Sequence, residues 1–300
     1  MFREAMVQAN IVAGRVLLQT PFPHDRQSGR SRSGGDREQL VIGRARQGIT
    51  VDYDHVLRDQ QVTVSLNATR RLIVRRMPRD DSKITRVEYV QPEQEPIVLW
   101  VGTGSKKVRY EANSLWHLLL QEPAICRRHL LPLLAALPLE VDLDAAAAQT
   151  EAALLKMANN PNSVNRRQLA AWVGQLADNR FSIREAADRQ LRDAGRDAVL
   201  FLQKLDVSQL DAEQQFRIQR ILDSMADGES QDSPESIAGF LCGDPDLWLI
   251  FMTRDSEPTR RVAKQHLERF LGEPIAFDPA TTQPVRRRQI EQVRAKLNAR

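Results

Sequence analysis

Near Asn113 the hydrophobic pattern of this chain changes its period, and that change limits the architectures open to it. Before that point, apolar residues come in short β-branched runs that alternate with polar ones, as in Gln61-Val62-Thr63-Val64-Ser65-Leu66. After it, they recur at the spacing of one helix face, as in Leu169, Val173 and Leu176. With 300 residues, 42% hydrophobic and 27% charged, the composition is that of a globular chain. The reading is α+β: a small antiparallel β module over 40–110 followed by an all-α domain over 111–300.

Three stretches divide the front of the molecule. Residues Pro21 to Asp36 are rich in Pro, Ser, Gly and Arg and have little to bury, so 1–39 reads as a flexible basic tail. Ahead of them, Ile11-Val12-Ala13-Gly14 and Val16-Leu17-Leu18 form an apolar run that Arg15 interrupts. It is a poor signal peptide and too short to span a bilayer, which makes the cytoplasm the default location unless an upstream start hides an export signal. In the β module, Gln61–Leu66, the turn Asn67-Ala68-Thr69 and Leu72-Ile73-Val74 read as a hairpin. Ile84–Val90 and Ile97–Val101 supply further strands, and Gly102-Thr103-Gly104-Ser105 turns the chain back through Val108-Arg109-Tyr110. A sheet of about five strands is marginal alone and should lean on the helices that follow.

Those helices carry recognisable punctuation. Ser114-Leu115-Trp116 opens one that ends before Pro123, and Ile125 to Leu137 forms another with Pro132 as a kink point. Asp144 to Met157 is alanine-rich and stops at Asn159-Asn160-Pro161. Ser163 or Asn165 caps the next, and Ser182 with Glu185 reads as a capping box for a helix closed by Gly195. Phe216, Ile218, Ile221, Leu222 and Met225 share a helical register; Ile237–Cys242, Leu247–Met252, Pro258–Leu271 and Pro284–Leu297 complete the set.

Two of these helices echo each other. Arg184-x-x-Ala187-x-x-x-Leu191 and Arg260-x-x-Ala263-x-x-x-Leu267 lie 76 residues apart, twice 38, leaving room for a middle copy around Arg217-Ile218-Gln219-Arg220. The pattern Leu176-Ala177-Asp178-x-x-Phe181-x-x-Arg184-x-x-Ala187-x-x-x-Leu191-x-x-x-Gly195-x-x-Ala198 resembles a HEAT-type helical repeat of the kind also found in bilin lyases, best over 165–205 and 244–272. The resemblance implies a helical-hairpin solenoid with Ala187 and Ala263 as packing alanines. It makes Arg184 and Arg260 ties between units, near Asp178 or Asp255. The segment 206–243 departs from the pattern, lacking its Ala and Gly.

No catalytic, cofactor-binding or metal-ligating residue is assigned, and no particular binding residues are named. The five histidines (His24, His55, His117, His129, His266) are isolated, with no HExxH and no cysteine pair at ligand spacing. His117 and His129 stand on neighbouring helices and could meet. Cys126 and Cys242 read as buried, unpaired thiols. Asp142/Asp144 and Asp244/Asp246 read as helix-start carboxylates rather than an acid–base pair. Gly102 to Lys107 lacks the spacing of a phosphate loop, and Trp100, Trp116, Trp172 and Trp248 read mostly as core residues.

The expected function is a non-catalytic protein–protein interaction scaffold without a cofactor, with an unidentified protein partner and no membrane association. The alternatives are an enzyme on a HEAT-like scaffold, bilin-lyase-like or DNA-glycosylase-like, and nucleic-acid association through the basic front. Residues 1–110 carry 19 Lys/Arg against 12 Asp/Glu, whereas 111–300 carry 24 against 27. The dense arginines Arg70, Arg71, Arg75, Arg76 and Arg79 would have to present one face to bind phosphates, and strand alternation works against that.

Overall fold

The computed structural model describes residues 7–20, 27–33, 36–45, 48–79, 83–159, 166–194, 198, 201–202, 205–206, 209–226 and 233–298. The chain forms two compact units, Met1–Ala147 and Ala148–Arg300.

In the first unit, strands β3 (Gln27–Ser33), β4 (Asp36–Ala45), β5 (Gly48–Val56), β6 (Gln60–Leu66), β7 (Leu72–Pro78), β8 (Val87–Gln91), β9 (Ile97–Val101) and β10 (Val108–Ala112) follow one another in a single eight-stranded antiparallel meander. Period two decides its faces. The register aligns Leu40, Tyr53, Val64, Val74, Tyr89 and Leu99 in one row across six strands, and every one of them is buried. The residues one step along point the other way and include polar pairs: Ser65 donates to Asp52, Gln61 to Asp54, and Arg75 pairs with Glu88 at 2.8 Å.

The apolar face needs a cover. Helix α1 (Leu115–Gln121) packs on β10, and Leu115 to Leu120 are all buried. A short α2 (Pro123–Ile125) leads into a π-turn, Cys126–Leu130, packed on β8, and α3 (Leu131–Leu134) packs on β7. Pro132 has no N–H to offer the preceding turn, and the widened turn before it is where the helix absorbs that loss.

A separate hairpin, β1 (Gln8–Val12) and β2 (Arg15–Gln19), completes this unit. Its turn holds Gly14 at φ 71, where a Cβ would come within 2.6 Å of the Ser114 Cβ, and the Gly14 carbonyl accepts from the Leu115 amide at 2.8 Å. Gln91 acts as a detached piece of strand: its Oε1 accepts from Val16 N and its Nε2 donates to Val16 O, both at 2.9 Å. Arg15 caps the arrangement by donating to the carbonyls of Pro92 (2.7 Å) and Glu95 (2.8 Å).

Helix α4 (Leu143–Ala158) carries the chain into the second unit, whose described residues form helices and the loops between them, with no strand. There follow α5 (Arg166–Gln175), α6 (Phe181–Asp193), α7 (Ala212–Ala226), α8 (Pro234–Cys242), α9 (Pro245–Phe251), α10 (Glu257–Leu271) and α11 (Gln283–Asn298). Ser233, Asp244 and Ser256 cap α8, α9 and α10 through their side chains, and Gly272 ends α10 at φ 69. Leu169, Val173 and Leu176 are buried with Ala187, Leu191, Ile218 and Ile221 in one core.

The expected architecture is corrected on both counts. The β part is no small five-strand module: the eight-stranded meander is joined by the hairpin, and the unit reaches Ala147, with α1 to α3 in it, rather than stopping at 110. Much of the supposed tail 1–39 is strand, because main-chain pairing with β4 satisfies an edge strand that needs almost no apolar side chains. The helical part is not a solenoid. In a solenoid each hairpin touches only its neighbours, whereas here α10 returns to pack on α5. Arg254 pairs with Glu151 at 3.1 Å, and Arg269 donates to the Ala158 carbonyl, closing the last helices onto α4.

Candidate functional site

The internal echo is real in three dimensions. Helix α6 begins at Phe181 and α10 at Glu257, again 76 residues apart, and Ala187, Ala263, Leu191 and Leu267 are all fully buried. In both copies the arginine one turn in reaches back to the loop before its helix. Arg184 Nη1 donates to the carbonyls of Asp178 (2.7 Å) and Asn179 (3.2 Å), and Arg260 Nη1 to those of Arg254 and Asp255 (both 2.6 Å). Arg260 also donates through Nε to Pro279 O at 2.7 Å, and Arg286 repeats the device on Thr281 O at 2.6 Å. These arginines fasten the turn in front of their own helix, where the sequence reading had them tie neighbouring units.

The first copy leaves a face open. Arg184 lies 3.6 Å from Glu213, and Arg217 binds Glu185 (2.8 Å) and Glu213 (2.6 Å), forming a ladder of ion pairs between α6 and α7. The two carboxylates raise the pKa of Arg217 above its ordinary value, so its charge is fixed. Phe181 and Phe216 border this ladder, one turn before Arg184 and one residue before Arg217, and are 64% and 63% exposed. The Arg184 guanidinium stands 5.7 Å from the Phe181 ring centre. Arg220, one turn beyond Phe216, is exposed with no carboxylate partner among the described residues.

Phe216 is therefore a correction: it shares the helix with Ile218 and Ile221 but points away from their core. The capping box at Ser182 and Glu185 is another. Helix α6 starts at Phe181, two residues before the Ile183 that a Ser182 cap requires, with Asp178 Oδ1 accepting from Arg180 N at 2.8 Å, and Glu185 is spent on Arg217. That amide and the Arg180 guanidinium hold the Asp178 carboxyl below its usual range. A reciprocal box does form at α7, where Asp211 accepts from Gln214 N (2.7 Å) and Gln214 Oε1 accepts from Asp211 N (3.0 Å). The expected middle copy is absent from α7, since Arg217 points to α6 and not to its own preceding turn. Gly195, Ser163, Asn165 and His24 lie outside the described residues.

The remaining singled-out residues do structural work. Cys126 and Cys242 are buried and unpaired, and burial pushes the Cys126 thiol up to about 12. Asp142 accepts from the amides of Asp144 and Ala145, Asp244 from that of Asp246, and Asp144 pairs with Arg127 at 2.7 Å. His117 is buried with its Nδ1 2.7 Å from Ser114 Oγ. His266 lies against Trp248, ring centres 4.3 Å apart, and its Nε2 donates to Cys242 O at 2.9 Å because a carbonyl can only accept. Trp116 and Trp248 are buried, whereas Trp100 is half-buried on the polar face of the sheet under Lys107, 4.0 Å from its ring centre.

The basic run does not form a stripe. Arg75 turns to Glu88 on one face of β7, Arg76 lies on the other, and Arg79 donates to Leu57 O at 2.9 Å. Among the described residues no group of three or more His, Cys, Asp or Glu stands close enough together to hold a metal ion. The cavity against Leu40, Tyr53, Val64 and Leu137 has room for about one water, roughly 20 Å³. No described helix is long and apolar enough to cross a membrane. No family model matches the chain, and neither does any curated protein or solved structure.

Proposed function

We propose that this protein is a non-catalytic docking module that binds a protein segment on the α6–α7 face of its helical unit. One observation carries the reading. Phe181 and Phe216 expose nearly two thirds of their surface on either side of a fixed ion-pair ladder, whereas the position equivalent to Phe181 in the second copy is Glu257, which pairs with Arg261. The repeated unit thus folds with a charged residue at that position, and the fold does not call for an aromatic one.

The chemistry of the face describes its partner. Two aromatic rings offer apolar area at low entropic cost, and arginines are the charged groups best suited to interface pairing. Arg220 and the solvent-facing Arg180 beside the rings favour a segment that places one or two apolar side chains next to a carboxylate. The test is affinity capture with the full-length chain and with F181S/F216S. Both proteins should unfold at the same denaturant concentration, and only the parent should retain a nuclease-resistant protein. Equal retention by the two would sink the reading.

A further inference from the structure

A different observation, in the first unit, stands apart from the proposed docking face. Arg76 sits on β7 in the same row direction as Leu72 and Val74, on the face that the helices cover, and its register partner is Val87 of β8. The π-turn Cys126–Leu130 packs on β8 and α3 on β7, which brings Arg128 and His129 to the end of the sheet where Arg76 emerges. Arg76 Nε and His129 Nδ1 are both buried from solvent and neither has a hydrogen-bond partner.

Nothing among the described residues neutralises this corner. Glu88 faces the opposite side of the sheet and is held by Arg75. Val87, Tyr89 and Gln91 are the β8 residues that point this way; none carries a charge, the Tyr89 phenol being pushed up by burial and its hydroxyl donating to Gln91. Asp80 and Asp81 lie outside the described residues. Burial lowers the pKa of Arg76, with no carboxylate acting against it. Burial, then Arg76 and then Arg128, hold the His129 imidazole below its ordinary 6.5. Two guanidiniums and a polar imidazole stand together here without a counter-charge, and buried donors left unmade are costly.

We infer that Arg76, Arg128 and His129 form a binding site for a tetrahedral oxyanion of the phosphate class. Guanidinium forks match its oxygens, and the imidazole supplies a third donor once protonated. Binding draws a proton onto His129, so affinity for a dianion that does not itself titrate near neutrality rises as pH falls through the histidine's range.

Sulfate is that dianion, and His129 is its reporter. In the full-length chain the His129 ring proton is followed by NMR against pH, with sulfate or with chloride at matched ionic strength. Sulfate should raise the His129 pKa saturably and chloride should not, and Arg128→Gln or Arg76→Gln should weaken the sulfate effect about tenfold. Arg75→Gln, on the opposite face, should leave it unchanged. Arg128 is exposed, so its variant keeps the test open if the Arg76 variant does not fold. An equal response to chloride, or a sulfate response that survives both variants, would overturn the assignment. Inorganic phosphate and a phosphoserine peptide, compared in the same titration, separate a free anion from a phosphorylated protein as the natural source.

Discussion

Helices α6 and α10 are built on one pattern and put to different use. Both begin at the same step of an arginine–alanine–leucine register, and both fasten the preceding turn through that arginine. Yet Arg260 is 5% exposed and gathers three carbonyls from two loops, whereas the Arg184 side chain is 22% exposed and shares itself between its turn and Glu213. Where α10 opens with Glu257, α6 opens with an exposed phenylalanine. The first copy holds a surface together and the second holds the core together, and packing does not account for a solvent-facing aromatic in the first.

The sharpest way to break this comparison is to remove the two arginines in turn. Arg260→Ala removes a buried guanidinium that holds three part-buried carbonyls and should cost about 3–5 kcal/mol in urea unfolding, because hydrogen bonds to a charged donor contribute about 1.5 kcal/mol or more each. Arg184→Ala should cost about 1–2 kcal/mol, since it serves two carbonyls rather than three and one of them, on Asn179, is open to water. Equal costs would mean that the copies are energetically alike and the contrast is only geometric.

Next in size is the pH response of the second copy. Burial and Arg269 hold the His266 pKa at about 4, below the 6.5 of the free imidazole. Its folded pKa is depressed, so below pH 6.5 the unfolded chain takes up a proton that the folded one refuses. Stability is complete above about 6.5 and falls as pH drops from there towards 4, by on the order of 3 kcal/mol in all. His266→Leu should flatten that slope in denaturation curves at several pH values; a slope that persists would place the proton elsewhere.

A smaller effect tests the shared packing. Ala187→Leu and Ala263→Leu each put a larger side chain where a fully buried alanine sits and should cost about 1–3 kcal/mol. Similar losses at both positions would sharpen the view that the alanines are equivalent while the arginines are not.

What was legible in the sequence follows a physical divide. Periodicity located most of the elements: the β6–β7 hairpin pairs Val64 with Val74 as alternation requires, and Leu169, Val173 and Leu176 face one core. The Arg-Ala-Leu echo was visible because fully buried small residues and turn-fastening arginines constrain residue type. The β1–β2 hairpin and β3 were not, because their partners are remote or main-chain: Arg15 looked like an interruption until Pro92 and Glu95 supplied its acceptors. The solenoid expectation failed for a similar reason. Local helix signals say nothing of the return of α10 to α5, which rests on long-range contacts such as Arg254 with Glu151.

The candidate site divides the same way. Phe216 fits the helical register of Ile218 and Ile221 loosely enough to be grouped with them, and only packing shows which side of α7 is covered. Its neighbour Asp211-x-x-Gln214 does carry a readable capping signal. The Arg76 corner could not be found from spacing at all, since Arg76 and Arg128 lie 52 positions apart in the chain and only the packing of the π-turn on β8 brings them together.

The central claim, that the α6–α7 face exists to hold a protein segment, is tested most directly by site-specific photo-crosslinking in cells. A benzophenone side chain is placed at Phe181, at Phe216 and, for comparison, at Glu257. One discrete protein adduct shared by positions 181 and 216, mapped to an apolar residue beside a carboxylate, is expected, with no such adduct at 257. No adduct at the two phenylalanines, or the same adducts at all three positions, would contradict it.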